Sequence, residues 1–215
     1  MEEVKQLGKS RSRARSPEQK AEIRRHLIDA GRKLFANEEP ASVSVRRIAK
    51  EAGYTPATIY NYFADQLDLY ATIREQDMEE AVLEIEALTT GIADPAERLT
   101  RIFDAAIRHW MAFPEHFEII YAQRVDDIGK IGGKPLGAAP VATRFYVFYR
   151  DAVDGYLRFV GNDVVNVDEA TDTIVTATMG ILLFVRHTST WQWSAVPEMS
   201  ANVVKALMES WRPSA

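Results

Sequence analysis

The sequence predicts an all-α protein, and three observations support that fold class. Apolar residues recur at helical spacing through most of the 215 residues, whereas the alternation typical of a half-buried strand is nearly absent. Several of these segments open with a capping residue and a proline at the first helical position, as at Ser16-Pro17 and Asp94-Pro95. Finally, 47% of the residues are hydrophobic and 27% are charged, as in an ordinary globular protein with a buried core.

Composition also excludes several classes of protein. The chain has no cysteine, which excludes disulfides, thiolate metal sites and cysteine nucleophiles. Its longest apolar run, residues 179–185, is far shorter than the ~18 residues that a membrane-spanning helix needs. The first 16 residues lack the apolar stretch of a secretory signal. We therefore expect a cytoplasmic protein without a membrane partner.

Charge is distributed unevenly along the chain. The net charge is −5, but residues 1–63 hold 13 basic and 8 acidic side chains, while residues 64–215 hold 13 basic and 23 acidic ones. A basic N-terminal third on an acidic body indicates that one part of the molecule meets a polyanion and the other does not. Residues 1–16 carry five of the basic side chains together with serine and glycine, and we interpret them as a flexible basic arm.

Four helices are predicted in the N-terminal part, and each has its own start signal. Ser16, Ser44, Thr55 and Asp65 are each expected to cap a helix. The first helix stops at residues 37–40, the second ends at Gly53, the third is very short, and the fourth is long and runs to residue 91. The apolar positions expected to face inward are Ile23, Leu27, Ala30, Leu34, Phe35, Ile48, Ala49, Ile59 and Phe63.

Residues 65–215 are expected to form a second, helical domain. Asp94 caps its next helix, which Phe113-Pro114 interrupts, and another helix starts at Pro114 and runs to about residue 124. Residues 127–140 contain four glycines and two prolines and are predicted to form a loop. The remaining helices are predicted at 141–160, 168 to about 193 and 197–211, and the second of these is apolar almost all round.

Residues 44–69 follow the plan of a helix-turn-helix: a helix, a short turn around Gly53, and a second short helix. Ala49 supplies the small residue that the helix crossing needs, and Ile59 supplies the apolar residue facing back. The outward side of the second helix presents uncharged donors, acceptors and aromatic rings suited to phosphate oxygens and base edges, namely Thr55, Pro56, Thr58, Tyr60, Asn61 and Tyr62.

The run I-A-x-x-A-G-(5)-I-Y-x-Y-F over residues 48–63, behind a helix ending Leu34-Phe35, resembles the TetR family of transcriptional regulators. The likeness covers roughly residues 20–70. It implies a three-helix DNA-binding domain, residues 17–64 here, followed by a helical domain, residues 65–215, that dimerises and binds an effector.

By position, the resemblance also assigns DNA-facing roles to Ser44, Arg46 and Gln66. In such proteins threonine hydroxyls and tyrosine rings mostly meet the DNA backbone, while base choice comes from the early positions of the recognition helix and from the position held by Asn61. Gln66 departs from the family pattern, which usually has a phosphate-binding lysine there. Losing one phosphate contact is expected to shallow the salt dependence of binding by about one unit. Two roles stay open for the basic arm: contact with the flanking minor groove, or a disordered solubilising tail.

The helix predicted over residues 168–193 is too apolar to be covered within one small domain. Pairing with residues 197–211 and with the same two helices of a second copy would cover it, so we expect a homodimer through the last two helices. A two-fold dimer also places two recognition helices about one DNA turn (~34 Å) apart, as a palindromic operator requires.

The effector region is predicted from residue type alone. Large apolar groups with a few polar tips suit a concave pocket for a small molecule, although ordinary core packing is the alternative for each residue. The acidic body favours a neutral or cationic lipophilic ligand over a strongly anionic one. The candidates are Trp110, Phe113, Phe117, Tyr121, Phe145, Phe148, Tyr149, Met179, Phe184, His187 and Trp191.

Catalytic and cofactor motifs are missing, including G-x-S-x-G, a glycine-rich phosphate loop and H-E-x-x-H. His109 and His116 are the only spaced histidine pair of interest, but Pro114 interrupts the helical face between them, and we expect no metal site. The function we predict is a ligand-responsive repressor without enzymatic activity or cofactor. The alternatives are an activator, a ligand-independent regulator, or a helical ligand-binding or catalytic protein that keeps the helix-turn-helix as scaffold.

Overall fold

The computed structural model describes residues 16–38, 42–117, 120 and 140–213. Within these ranges the chain forms nine helices and no strand, which confirms the all-α prediction. None of the described helices is long and apolar enough to cross a bilayer. The helices are α1 Pro17–Asn37, α2 Val45–Glu51, α3 Pro56–Ile59, α4 Gln66–Thr89, α5 Pro95–Ala112, α6 Pro114–Phe117, α7 Pro140–Val160, α8 Val167–His187 and α9 Val196–Ser210.

Side chains at the helix starts satisfy backbone N–H groups that have no partner within the helix. The Gln19 backbone N–H donates to Ser16 Oγ at 3.3 Å, and the Ser16 N–H donates to Gln19 Oε1 at 3.1 Å, which completes the predicted capping box. Ser44, Asp65 and Asp94 cap α2, α4 and α5, also as predicted.

Helix α8 ends earlier than the apolar pattern predicts. The pattern continues to about Trp193, but α8 ends at His187. The Thr188 hydroxyl donates to the Phe184 carbonyl at 2.6 Å, and the Trp193 indole N–H donates to the Thr188 hydroxyl oxygen at 3.0 Å. The Thr188 backbone N–H also donates to the Phe184 carbonyl, at 3.0 Å, and is the last such bond of α8. Trp191 therefore lies beyond the helix, where it is 68% exposed.

The segment between α6 and α7 differs from expectation at one end. Pro140 was predicted as the last residue of a loop, whereas it begins α7, because proline fits the first turn of a helix. Residues 127–139 of that loop lie outside the described residues. So do residues 121–124 of the helix predicted to start at Pro114, and residues 1–15 of the basic arm.

Two hydrophobic clusters divide the described molecule. The N-terminal cluster joins α1, α2 and α3, and the C-terminal cluster joins α5 to α9. Helix α4 belongs to both, because Leu69 and Ile73 lie in the first cluster while Met78 lies in the second. The clusters therefore meet inside α4, beyond the domain boundary predicted at residue 64, and the side chains of Arg74 and Asp77 are buried at this junction.

Candidate nucleic-acid interface

A glycine sets the turn between α2 and α3. The Tyr54 N–H donates to the Ala49 carbonyl at 2.7 Å, and the Gly53 N–H donates to the Lys50 carbonyl at 3.1 Å. These are the two bonds of a Schellman motif. Gly53 has φ of +77°, a left-handed conformation that is costly for a residue with a Cβ. The predicted turn is thus formed, with glycine at the position that requires it.

Core packing holds α3 in place. Ile48 and Ala49 of α2 are fully buried, as is Ile59 of α3, and Phe63 is buried just after α3. The predicted inward-facing residues of the N-terminal part are all in this core. Since α3 contains only four residues, its orientation depends on these contacts rather than on its own hydrogen bonds.

The outward side of α3 carries five of the predicted DNA-facing residues. Thr55, Pro56 and Asn61 are exposed, Tyr60 is 55% exposed and Thr58 is half-buried. Thr55 stands at the N-cap position without a capping hydrogen bond. Instead its Oγ1 lies 3.1 Å from that of Thr58, in a hydroxyl pair. Paired hydroxyls beside an exposed phenol suit phosphate oxygens, which accept hydrogen bonds.

Three more of the predicted residues differ in how freely their side chains can contact DNA. The Arg47 N–H donates to Ser44 Oγ at 3.4 Å, so the Ser44 oxygen already caps α2. Tyr62 is half-buried and packs against the N-terminal cluster, so its ring supports the fold as well as the predicted interface. Arg46 is exposed and forms no ion pair with the residues that the structure describes.

Gln66 takes part in a hydrogen-bond chain at the start of α4. Its Nε2 donates to the Tyr70 hydroxyl at 2.8 Å, and that hydroxyl donates to the Val43 carbonyl at 2.9 Å. Burial raises the pKa of Tyr70, which keeps the phenol protonated as a donor. The chain connects α4 to the segment before α2. No sequence spacing signals this link.

The positive charge of this region is partly neutralised. Arg47 pairs with Glu38, and Lys33 pairs with Glu51. Lys50 is exposed and, like Arg46, has no ion pair within the described ranges. It lies four residues after Arg46 and therefore on the same face of α2. Lys50 was not among the predicted residues, and its helical spacing from Arg46 was the signal that could have found it.

Six of the predicted effector residues lie in the C-terminal cluster. Phe145 and Tyr149 meet edge to face at 4.7 Å between ring centroids, and the Trp110 ring lies 6.1 Å from Phe117 and 6.4 Å from Phe145. Close aromatic packing of this kind builds a core. The six buried residues are Trp110, Phe117, Phe145, Phe148, Tyr149 and Met179.

The other candidates are not brought into that cluster. Phe113 is partly exposed and stacks on His116 at 5.3 Å. Phe184 and His187 are exposed near the end of α8, and Trp191 follows the helix. The role of these four residues in effector binding stays a prediction. Tyr121 lies outside the described residues.

Two cavities border α5 in the described part of the chain. One of about 670 Å³ lies between α4 and α5 beside Glu84, Leu88 and His109. The other, of about 240 Å³, lies between α5 and α9 beside Phe103 and Ser200. None of the predicted effector residues lines either one. Among the residues described, no group of three or more His, Asp or Glu side chains is placed to hold a metal ion.

The N-terminal helices match a known family of proteins. The sequence model of the family described as "Bacterial regulatory proteins, tetR family" matches residues 27–73. The HTH-type transcriptional regulator AcrR of Shigella flexneri is 38% identical over 93 residues, which are 41% of this chain and 42% of AcrR. Across the curated relatives that it matches, the chain spans between 36% and 57% of their length.

Solved structures are similar over nearly the whole chain. FadR from Bacillus subtilis in complex with stearoyl-CoA has a TM-score of 0.68 at 15% identity, covering 86% of this chain and 97% of that one. RolR in complex with resorcinol has a TM-score of 0.66 at 19% identity, covering 93% and 92%. At these identities the likeness concerns the fold alone: an N-terminal helix-turn-helix followed by a helical domain.

Proposed function

Because the helix-turn-helix domain of this chain belongs to the TetR family of bacterial regulatory proteins, we propose that the protein is a DNA-binding transcriptional regulator that acts as a ligand-responsive repressor. The observation that carries the proposal is the two-sided construction of α3. Its inward residue Ile59 is fully buried, while its outward side presents hydroxyls and an exposed phenol. A short helix held in this way can enter the major groove as a rigid unit.

The repressor is proposed to bind a palindromic operator as a homodimer. Helix α8 buries one face in its own domain, whereas Phe184 on another side is 58% exposed and lies 5.4 Å from the Trp193 ring. Half-buried Val203 and Leu207 of α9 add apolar surface. A second copy related by a two-fold axis is the natural cover for such a surface, since the same patch then meets itself.

A small, largely apolar effector is proposed to release the DNA. Support comes from the fold, which holds stearoyl-CoA in FadR and resorcinol in RolR. Effector binding would swing α4 and move the two recognition helices out of operator register. Effector and DNA then lower each other's affinity by the same factor. Unchanged operator affinity at saturating effector contradicts this mechanism.

The alternatives differ in what they require of the DNA interface. An activator or a ligand-independent regulator uses the same interface and is distinguished by the response to ligand and by transcription in the cell. A scaffold role in a ligand-binding or catalytic protein requires no sequence-specific DNA binding. Our proposal includes no catalytic activity and no cofactor, and it places the protein in the cytoplasm with its operator.

Fluorescence anisotropy on duplexes selected from random DNA tests the proposal. The wild type is expected to bind its selected duplex at ~10⁻⁸ M or tighter. A Thr58→Ala/Tyr60→Phe/Tyr62→Phe variant, which lacks three interface hydroxyls, is expected to lose most of that affinity. The matched control Tyr146→Phe removes a hydroxyl that donates to Asp172 at 2.9 Å in the C-terminal domain and should bind normally. Sequence-blind binding, equal in wild type and variant, contradicts the proposal.

A further inference from the structure

Charged side chains separate the two hydrophobic clusters inside α4. Ile73 is the last α4 residue of the N-terminal cluster, and Met78 is the first of the C-terminal cluster. Between them, Asp77 is fully buried and Arg74 is 4% exposed, with no hydrogen bond to its Nε or Nη1. Apolar packing along α4 is therefore interrupted between the two domains, and polar contacts at this layer contribute to holding them together.

Asp77 connects α4 to one helix of each domain. Nε of Arg32, in α1, lies 2.6 Å from Asp77 Oδ1, and Nη1 of the same guanidinium donates to Glu80 Oε1 at 2.8 Å, one turn further along α4. From α6, His116 Nδ1 lies 3.6 Å from the same Asp77 oxygen. A cation of the DNA-binding domain and an imidazole of the C-terminal domain thus share one buried carboxylate oxygen.

This carboxylate can change its charge near neutral pH. Neither oxygen of Asp77 accepts a well-directed hydrogen bond, despite the short distance to Arg32. Burial raises the pKa of Asp77 to about 7, with Glu80 and Glu115 acting in the same direction and Arg32 opposing them. Burial also lowers the pKa of His116, assisted by Arg32, so the imidazole is predominantly neutral at pH 7 and supplies little compensating charge.

We propose that Asp77 is the proton-binding site of an acid-sensitive switch between the two domains. The ionised carboxylate attracts Arg32 and thereby holds α1 against α4 and α6. Because Arg32 lowers the pKa of Asp77 while burial raises it, displacing Arg32 from a carboxylate that stays buried raises that pKa further. A proton on the carboxylate therefore favours the arrangement in which Arg32 pairs with Glu80 alone. The DNA-binding domain is then held less firmly, and docking two recognition helices on one duplex costs more ordering entropy. Operator affinity therefore falls on acidification. The inference rests on the proposed DNA-binding function.

Operator affinity at pH 8 and pH 6 tests the switch, with anisotropy on the selected duplex as readout. Asp77→Asn keeps the size of the side chain but cannot ionise. The matched control Asp163→Asn removes an exposed carboxylate in the C-terminal domain. Wild type and control are expected to lose about five-fold or more in affinity from pH 8 to pH 6, at the lower end of typical coupling between sites. Asp77→Asn is expected to bind at both pH values as weakly as the wild type does at pH 6.

The pH ratio separates a switch from a merely structural role. If Asp77 only supports the fold, Asp77→Asn lowers affinity by the same factor at both pH values and keeps the wild-type ratio, which overturns the inference while leaving the DNA-binding function intact. If the wild type binds no sequence specifically at pH 8, the proposed function fails instead.

A second measurement needs no variant and covers the case in which Asp77→Asn does not fold. The carboxyl carbon of Asp77 is titrated by NMR in the wild type, with and without the selected duplex. Because DNA binding favours the ionised form in our proposal, the apparent pKa of Asp77 should be lower in the complex. Identical midpoints in the two titrations overturn the inference.

Discussion

Individual side chains of the candidate interface differ in how freely they can meet DNA. Tyr60 projects from the surface, whereas Ser44 is engaged as a helix cap and Gln66 donates to Tyr70. The helix-turn-helix pattern named Tyr60, whereas the resemblance to the TetR family named Ser44 and Gln66. The capping role of Ser44 was predicted, but the contact of Tyr70 with Val43 was not, because it joins residues that are distant in the chain and meet only in the folded protein.

Replacing Gln66 by lysine is expected to add a phosphate contact. Gln66 is exposed at the first position of α4, close to the predicted DNA-facing residues after α3. One added contact releases about one more counterion, so the slope of log affinity against log salt should steepen by about 0.9. Anisotropy titrations from low to moderate salt measure this slope.

Gln192→Lys is the matched control, since Gln192 is exposed beyond α8 and carries the same charge change. Its slope should equal that of the wild type. If both variants steepen the slope equally, the effect comes from net charge, and the position of Gln66 at the interface is not supported.

Helices were predictable from sequence where their signals are local. Capping side chains at Ser16 and Asp94 lie within three residues of the N–H groups they accept from, so the starts of α1 and α5 were predicted correctly. The end of α8 was not, because its apolar pattern continues past His187. The bond from Trp193 to Thr188 that accompanies this end joins residues only five apart, but apolar periodicity does not reveal side-chain hydrogen bonds. Apolar periodicity predicts that a helix exists better than where it ends.

Removing the cap of α8 is expected to lower the free energy of unfolding by about 1 kcal/mol. Asn166 Oδ1 accepts from the backbone N–H groups of Asp168 at 2.9 Å and Glu169 at 3.1 Å, and Asn166→Ala leaves both without this partner. Urea unfolding followed by circular dichroism measures the change. Asn202 is exposed on α9 and its side chain forms no hydrogen bond with the described residues, so Asn202→Ala should change stability by less than about 0.5 kcal/mol. Equal losses in the two variants exclude a capping effect.

At the scale of the whole molecule, composition predicted burial but not cavity shape. Trp110 of α5 and Tyr149 of α7 are large aromatic side chains that were named as effector candidates with core packing as the alternative, and both are buried. Whether such side chains fill a core or surround a ligand depends on how the helices cross, which residue type does not reveal. The contacts of Asp77 were not predictable for a similar reason, since its partners Arg32 and His116 lie on helices far apart in the sequence.

The last prediction concerns the proposed dimer interface and compares two phenylalanines that are almost equally exposed. Phe184 on α8 is 58% exposed and Phe159 on α7 is 59% exposed, but only α8 belongs to the proposed interface. Phe184→Glu introduces a charge on each side of the two-fold axis, and burying unpaired charge is costly. We expect this variant to be monomeric by light scattering at micromolar concentration. Its operator affinity should fall about a hundred-fold or more, since a monomer meets one half-site.

Phe159→Glu makes the same chemical change outside the last two helices and should stay dimeric with wild-type operator affinity. A dimeric Phe184→Glu variant would remove Phe184 from the interface. A monomeric Phe159→Glu variant would instead place α7 at the contact between copies. A wild type that is itself monomeric at micromolar concentration would contradict the proposed binding of a palindromic operator. A single recognition helix of four residues buries too little surface to select a DNA site alone.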